Sequence, residues 1–238
     1  MITFSHLGKV GRMSNQLFQV AAVISTALKN NTSYILPEWE FEKSFNLHGC
    51  FSNNLPNLPV YREPHFHYSA IPAIKDLDLI GYFQSWRYID PFKEEIIKLL
   101  TPIHNFTRED GLCSIHIRRG DYTTLQDHHP LMTMDYYNKA MQKSRCDKFI
   151  IMSDDIKWCK KNFKGSKFSF SETNDPTIDL ALMAKKCSAN IIANSSFSWW
   201  GAYLNQNPNK KVIAPSQWFG KSLSYHNTRD LLPTDWLI

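Results

Sequence analysis

Residues 112–125, LCSIHIRRGDYTTL, decide how this chain is read. An apolar run of strand length stops abruptly in two arginines, a glycine and an aspartate, so a buried strand ends in a charged loop. Beyond it the same grammar repeats: helix MDYYNKAMQK (134–143), strand KFIIMS (148–153), helix DIKWCKKNF (155–163), strand FSF (168–170), helix TIDLALMAKK (177–186), strand NIIAN (190–194), helix SFSWWGAYLN (196–205) and strand KVIAP (211–215). Continuous apolar strands alternating with amphipathic helices specify a parallel sheet covered on both faces. Toward the N-terminus the pattern is sparser. A strand ITF (2–4) and a glycine-containing turn lead into a helix over 15–31, with Leu17, Ala21, Ile24 and Leu28 on one face and Ser14 placed to cap it. SYILP (33–37) reads as a second strand, LDLIGYFQSWRY (77–88) as a strand leading to a polar end, PFKEEIIKLLTP (91–102) as a helix closed by Pro102, and IHNFTREDG (103–111) as a linker. Residues 37–75, rich in Pro, Asn and aromatics, carry no clear pattern. The expectation is an α/β chain of two Rossmann-like, doubly wound domains, 1–108 and 109–238, facing a central cleft at the carboxyl ends of their strands.

Composition narrows the function classes. The chain has 238 residues, 43% of them hydrophobic, enough for a sizeable core. Its 27 Lys and Arg against 22 acidic residues give a net charge of +5, too small and scattered an excess for nucleic acid yet suited to an anionic small substrate. Five widely spaced cysteines without a C-x-x-C pair encode neither a disulfide framework nor a zinc site. The first residues lack a basic region followed by an apolar run, and no stretch approaches the ~20 apolar residues of a membrane span. A cytoplasmic protein with reduced thiols is expected, compatible with peripheral membrane association.

Three stretches carry candidate chemistry. In RRGDY, Arg118 and Arg119 offer permanently charged, forked guanidinium groups for a phosphate or diphosphate; Gly120 permits close backbone approach, and Asp121 would orient an arginine or accept a proton. A plain Arg–Asp surface pair is the alternative. In NSSFSWWGAYLN, a helix starting near Ser196 would aim unpaired N–H groups and its positive dipole end at a phosphate, with Ser195 and Ser196 adding hydroxyls; ordinary N-capping is the other reading. Trp199 and Trp200, one turn inside, suit core packing. In IIMSDD (150–155) one carboxylate suits ribose hydroxyls or a nucleobase N–H pair, while Asp155 suits a helix cap. The D-x-D of Asp76 and Asp78 precedes its strand and so points away from such a cleft. His128 and His129 read as loop residues. No nucleophile elbow, P-loop or dinucleotide fingerprint is present.

In this order the motifs GRMSNQLFQVAA (11–22), GYFQSWRY (81–88), HIRRGDY (116–122), SDDIKWC (153–159), NSSFSWWGAYLN (194–205) and LLPTDW (231–236) resemble the inverting α-1,2-fucosyltransferases, glycosyltransferase family 11, related to the α-1,6- and protein-O-fucosyltransferases. The resemblance implies a GT-B fold, a GDP-fucose donor, no required metal or other cofactor, and a glycan acceptor bearing a hydroxyl such as O2 of a galactose-type residue. It implies that Arg118 and Arg119 face the diphosphate, His116 and Asp154 the nucleoside, and Ser195, Ser196 and Phe197 the phosphate-side helix start. Arg12, Asn15 and Gln16 would line the fucose and acceptor side, Asn15 counting with Arg118 and Asp121 among the catalytic residues. Ser14 stands where the family usually has glycine, and residues 45–75 are compressed. Asp121 is the candidate base, with Asp90 and Glu38 as alternatives. Transfer of another 6-deoxyhexose such as rhamnose from a UDP- or dTDP-sugar, and a non-catalytic carbohydrate-binding protein, are the rival readings.

Overall fold

The structure is a computed structural model that describes residues 1–238. Two compact units emerge: Met1–Ile103 with His226–Pro233, and His104–Tyr225 with Thr234–Ile238.

The first unit contains β1 (Ile2–Thr3), α1 (Met13–Lys29), β2 (Val60–Arg62), β3 (Leu77–Ile80) and α2 (Lys93–Leu100). Its strands run parallel in the order β1-β3-β2, with Ile2 opposite Leu77 and Val60 opposite Asp78. The strand expected over 33–37 is reduced to isolated bridges, Tyr34 to Ile2 and Leu36 to Phe51. The cause is geometric: β1 is only two residues long, so pairing alongside it ends at once, and Leu36 turns to bond the Cys50–Ser52 segment instead. Helix α1 departs from expectation at both ends. The Arg12 carbonyl opens it by accepting the Asn15 and Gln16 N–H groups, so Ser14 lies inside the helix and buried rather than at the cap. Leu17, Ala21 and Ile24 are buried as the stripe requires, whereas Leu28, one residue from the helix end, is 41% exposed. The segment after β3 leaves the sheet at Gly81 and forms a 3-10 turn at Trp86–Tyr88. Helix α2 buries Ile96 and Leu100, and the Thr101 hydroxyl closes its last turn on the Ile97 carbonyl. The D-x-D pair is occupied locally: Asp78 accepts the Ser5 N–H and hydroxyl, and Asp76 meets the terminal amine.

The second unit is laid out as β4 (Glu109–Ile117), α3 (Met134–Ser144), β5 (Lys148–Ser153), α4 (Ile156–Asn162), β6 (Phe168–Phe170), α5 (Pro176–Ala181), β7 (Cys187–Ile191), α6 (Ser196–Tyr203) and β8 (Lys211–Ile213). All five strands are parallel, in the order β6-β5-β4-β7-β8. The chain therefore winds one way from β4 through β6 and returns to the other side of β4 at β7, placing the topological switch point between β4 and β7. Cys113, Ile115 and Ile117 of β4 form the core with Ile151, Ile191, Ile213, Tyr137 and Phe163, while Trp199 and Trp200 are fully buried. The helix expected over 177–186 is interrupted: α5 gives way to a π turn, Leu182–Lys186, and β7 begins at Cys187, earlier than its apolar run suggests. The buried Asn190 accounts for this. Its Nδ2 donates to Ser114 Oγ (2.8 Å) and to the Met183 carbonyl in the π turn (3.1 Å), while its Oδ1 accepts from Asn205 (2.8 Å), so a polar residue inside the sheet has every end satisfied. The five cysteines are free.

Candidate active site

The carboxyl end of β4 builds the site because Ile117 is the last buried residue of the strand and everything after it must turn toward solvent. Register places Ile117 opposite Ser153. The residues that follow β5, Asp154 and Asp155, therefore arrive beside the arginines. Arg118 pairs with Asp121 (Nη2 to Oδ1, 2.5 Å) and Asp154 (Nη1 to Oδ2, 2.8 Å). The other Asp154 oxygen accepts the Arg119 backbone N–H at 2.9 Å. Arg119 in turn meets Asp155 (Nε to Oδ2, 3.2 Å) and lays its guanidinium over the Trp158 ring, 4.1 Å from the centroid. Asp155 also caps α4 through the Trp158 N–H, as expected.

Gly120 is required here for close approach: a Cβ at this position would stand 2.5 Å from Asp154 Oδ2 and 3.2 Å from its Cγ. The glycine is thus the space in which Asp154 reaches both neighbouring arginines. Both guanidinium groups are held in place while remaining partly open, with side chains 17% and 20% exposed. Such charge-assisted pairs fix the direction of both guanidinium groups at the end of β4.

His116 faces the other side of the switch point. Its Nδ1 lies 3.0 Å from Ser198 Oγ and its ring 5.2 Å from Phe197, tying β4 to the first turn of α6. Burial, with Arg118 nearby, lowers its pKa from the ordinary 6.5 to about 3, so the imidazole is neutral at physiological pH. Ser195 caps α6 by accepting the Phe197 N–H, which realises the capping reading, while half-buried Ser196 and Phe197 form the first turn. Tyr122, not singled out in the sequence, links the two edges: its hydroxyl donates to the buried Asn194 carbonyl (3.1 Å) and its ring lies under Arg118. Its ring also stacks on His129, 4.6 Å away.

In the first unit, exposed Arg12 precedes α1, and Asn15 Oδ1 accepts from Gln84 Nε2 at 2.9 Å. Gln16 is buried and spends its amide internally, donating to the Gly11 carbonyl (2.9 Å) and accepting from Trp39 Nε1 (2.6 Å). What Gln16 does here is hold the turn before α1. Gln84 and Trp39 were invisible as site residues because each acts through a residue far away in sequence. No group of three or more His, Cys, Asp or Glu side chains gathers as a metal centre, and no helix is long and apolar enough to cross a membrane.

Comparison with known proteins identifies the family. The family described as Glycosyl transferase family 11 matches residues 25–236. The chain is 32% identical to an Escherichia coli alpha-1,2-colitosyltransferase, with 95% of this chain and 96% of the relative covered. It is 35% identical to the E. coli O-antigen biosynthesis glycosyltransferase WbnK over 59% of this chain and 55% of the relative. Rabbit (Oryctolagus cuniculus) galactoside alpha-(1,2)-fucosyltransferase 2 is 22% identical over 83% of this chain and 66% of the relative. With a match spanning nearly the whole chain and including the arginine loop, the carboxylates after β5 and the start of α6, this protein belongs to glycosyltransferase family 11 and is a fucosyltransferase-like glycosyltransferase.

Proposed function

We propose that the protein transfers L-fucose from GDP-fucose to a glycan hydroxyl, O2 of a galactose-type residue, with inversion and without a metal ion. The observation that carries this reading is Arg118, fixed by Asp121 and Asp154 at the switch point beside the α6 N-terminus. Cleaving a sugar–phosphate bond leaves a cation-like ring and a diphosphate that gains negative charge. Arg118, Arg119 and the first-turn N–H groups of α6 are the groups that would receive that charge, with Ser195 and Ser196 beside them. Neutral His116 and Phe197 offer an imidazole and an apolar face toward the nucleoside. Held by Arg118, Asp121 serves as the residue that orients the guanidinium; as the sugar–phosphate bond breaks, the acceptor oxygen bonds to the sugar carbon from the opposite face and releases its proton late, to water, so that no dedicated base is needed. The two units act as the halves of a GT-B enzyme, the C-terminal one binding the donor nucleotide and Arg12 and Asn15 of the N-terminal one serving sugar and acceptor. Five free thiols suit the reducing cytoplasm.

A second reading, transfer of colitose, is favoured by the similarity to a colitosyltransferase. Colitose is fucose without its 3-hydroxyl, so the two donors report whether a buried polar group awaits that hydroxyl; if one does, discrimination reaches ~10⁴-fold.

Melting the protein with GDP, UDP, dTDP and ADP at matched concentrations tests the donor nucleotide. A ligand at 100 times its dissociation constant adds about 2.7 kcal/mol, which raises the midpoint by several degrees at ~2–4 °C per kcal/mol. GDP is expected to give the largest shift. A larger shift with UDP or dTDP defeats the assignment. Transfer is expected to persist in excess EDTA; loss restored by manganese or magnesium would defeat metal independence.

A further inference from the structure

We propose that Glu63, at the carboxyl end of β2, is a positioning residue that holds the Gly81–Ser85 loop so that Gln84 orients the amide of Asn15. The inference deepens the functional reading above and rests on it for the role of Asn15. Glu63 Oε2 accepts two successive backbone N–H groups, from Tyr82 at 2.7 Å and from Phe83 at 3.0 Å. Its own N–H donates to the Ile80 carbonyl, so the carboxylate is anchored by the last rung of the sheet. Gly81 provides the space: a Cβ there would collide with the Glu63 side chain and stand 2.7 Å from Oε2.

The loop needs such a hold. Phe83 adopts a left-handed backbone, φ 53°, which a bulky residue disfavours, and its fully buried ring is wedged edge-on against Phe4 and Tyr88. Two N–H groups meeting one carboxylate oxygen stabilise the strained turn at the residues that create it. From this turn the loop reaches α1 at two points. Gln19 Nε2 donates to the Gly81 carbonyl at 3.3 Å, and Gln84 Nε2 donates to Asn15 Oδ1 at 2.9 Å. Gln84 thereby decides which edge of the Asn15 amide is oxygen and which is nitrogen.

The second Glu63 oxygen, Oε1, is buried without a hydrogen-bond partner. A carboxylate closed off in this way does not meet an acceptor hydroxyl, which separates positioning from general-base catalysis. Burial raises its pKa to about 7, with the Phe83 and Tyr82 N–H groups and His65 opposing the rise; Tyr88 is the other titratable group facing it. The ionised form is the stronger acceptor, so the loop tightens as pH rises through 7, while stability is lost as pH rises from 4.5 to about 7, where the unfolded chain ionises before the folded one.

The test compares Glu63→Ala, Glu63→Gln and Gln84→Ala in the full chain. Glu63→Ala is expected to lower kcat by ~10- to 100-fold through misplacement of Asn15, with GDP affinity unchanged. Glu63→Gln, which keeps an acceptor oxygen but cannot ionise, should restore most of the activity at pH 6 and lack the rise through pH 7. Combining Glu63→Ala with Gln84→Ala should cost no more than either alone, since both act on one amide. Wild-type kcat in Glu63→Ala, or a pH rise surviving in Glu63→Gln, overturns the proposal. If the wild-type protein transfers no sugar, the functional reading fails by itself. Hydrogen exchange at the Tyr82 and Phe83 amides then decides positioning, and unchanged protection in Glu63→Ala refutes it.

Discussion

Replacing Gly120 by alanine tests the arginine loop without touching a charged group. The added Cβ would meet Asp154 Oδ2 at 2.5 Å and Cγ at 3.2 Å, where ordinary contact begins near 3.4 Å. Asp154 has to retreat by nearly an ångström. That retreat breaks the 2.8 Å pair to Arg118 and the 2.9 Å bond from the Arg119 N–H together. Charge-assisted hydrogen bonds contribute ~1.5–3 kcal/mol each when buried; with the Asp154 side chain 25% exposed, the combined loss is discounted to about 2 kcal/mol. At 1.4 kcal/mol per tenfold, GDP affinity is expected to weaken by ~10- to 30-fold. The assay is nucleotide titration by calorimetry, with circular dichroism confirming the fold. Asp154→Ala should give a similar loss, and the double variant no more than Asp154→Ala alone, because the clash vanishes with the carboxylate. Wild-type GDP affinity in Gly120→Ala, or losses that add fully in the double variant, would show that Asp154 does not hold the loop for the nucleotide.

Arg118→Lys keeps the charge but removes the fork that spans Asp121 and Asp154; turnover should fall ~100-fold with the fold intact by circular dichroism, and near-normal turnover would exclude it as the diphosphate clamp. Asp121→Asn should weaken GDP affinity by ~3- to 10-fold along with transfer, since the guanidinium loses an orienting partner; lost transfer with unchanged GDP affinity would instead assign Asp121 the role of base. For His116 the folded pKa of about 3 lies below the ordinary 6.5, so the unfolded chain takes up the proton first and wild-type stability drains away as pH falls from 6.5 toward 3. His116→Gln, which cannot titrate, should narrow its stability deficit against wild type by up to about 2 kcal/mol between pH 7.5 and pH 5 in urea unfolding, and a pH-independent deficit would contradict a buried neutral imidazole. Glu63 titrates in the opposite sense, its stability contribution falling as pH rises from 4.5 through 7, and it cancels in this difference.

Several local readings carried through to the structure because they depend on short-range chemistry alone. Apolar runs bounded by charge or turn residues set β4, β5, β6 and β8. Asp155 caps α4, Ser195 caps α6, and the tryptophans one turn into α6 pack inward, each a consequence of residues within a few positions. Where the local reading failed, a partner distant in sequence had prevailed. Ser14 fits a cap by its type, yet the Arg12 carbonyl starts the helix two residues sooner. The strand at 33–37 has the right composition and no neighbour long enough to pair with. The single helix over 177–186 breaks because Asn190 reaches back to a carbonyl in its last turn.

By itself the sequence determined that a strand ends at Ile117 and that two arginines and an aspartate follow it, since burial and charge along a few residues suffice for that. Only the tertiary structure decided which carboxylates hold those arginines. Asp154 lies thirty-six positions beyond Arg118 and comes beside it through the register that sets Ile117 against Ser153. Glu63 meets the Tyr82 and Phe83 amides because β2 pairs with β3. The reason is that every rung of a parallel ladder is the same backbone hydrogen bond: side chains say that a strand forms, while the packing of the whole sheet chooses its neighbour, its register and hence the groups that meet beyond its end.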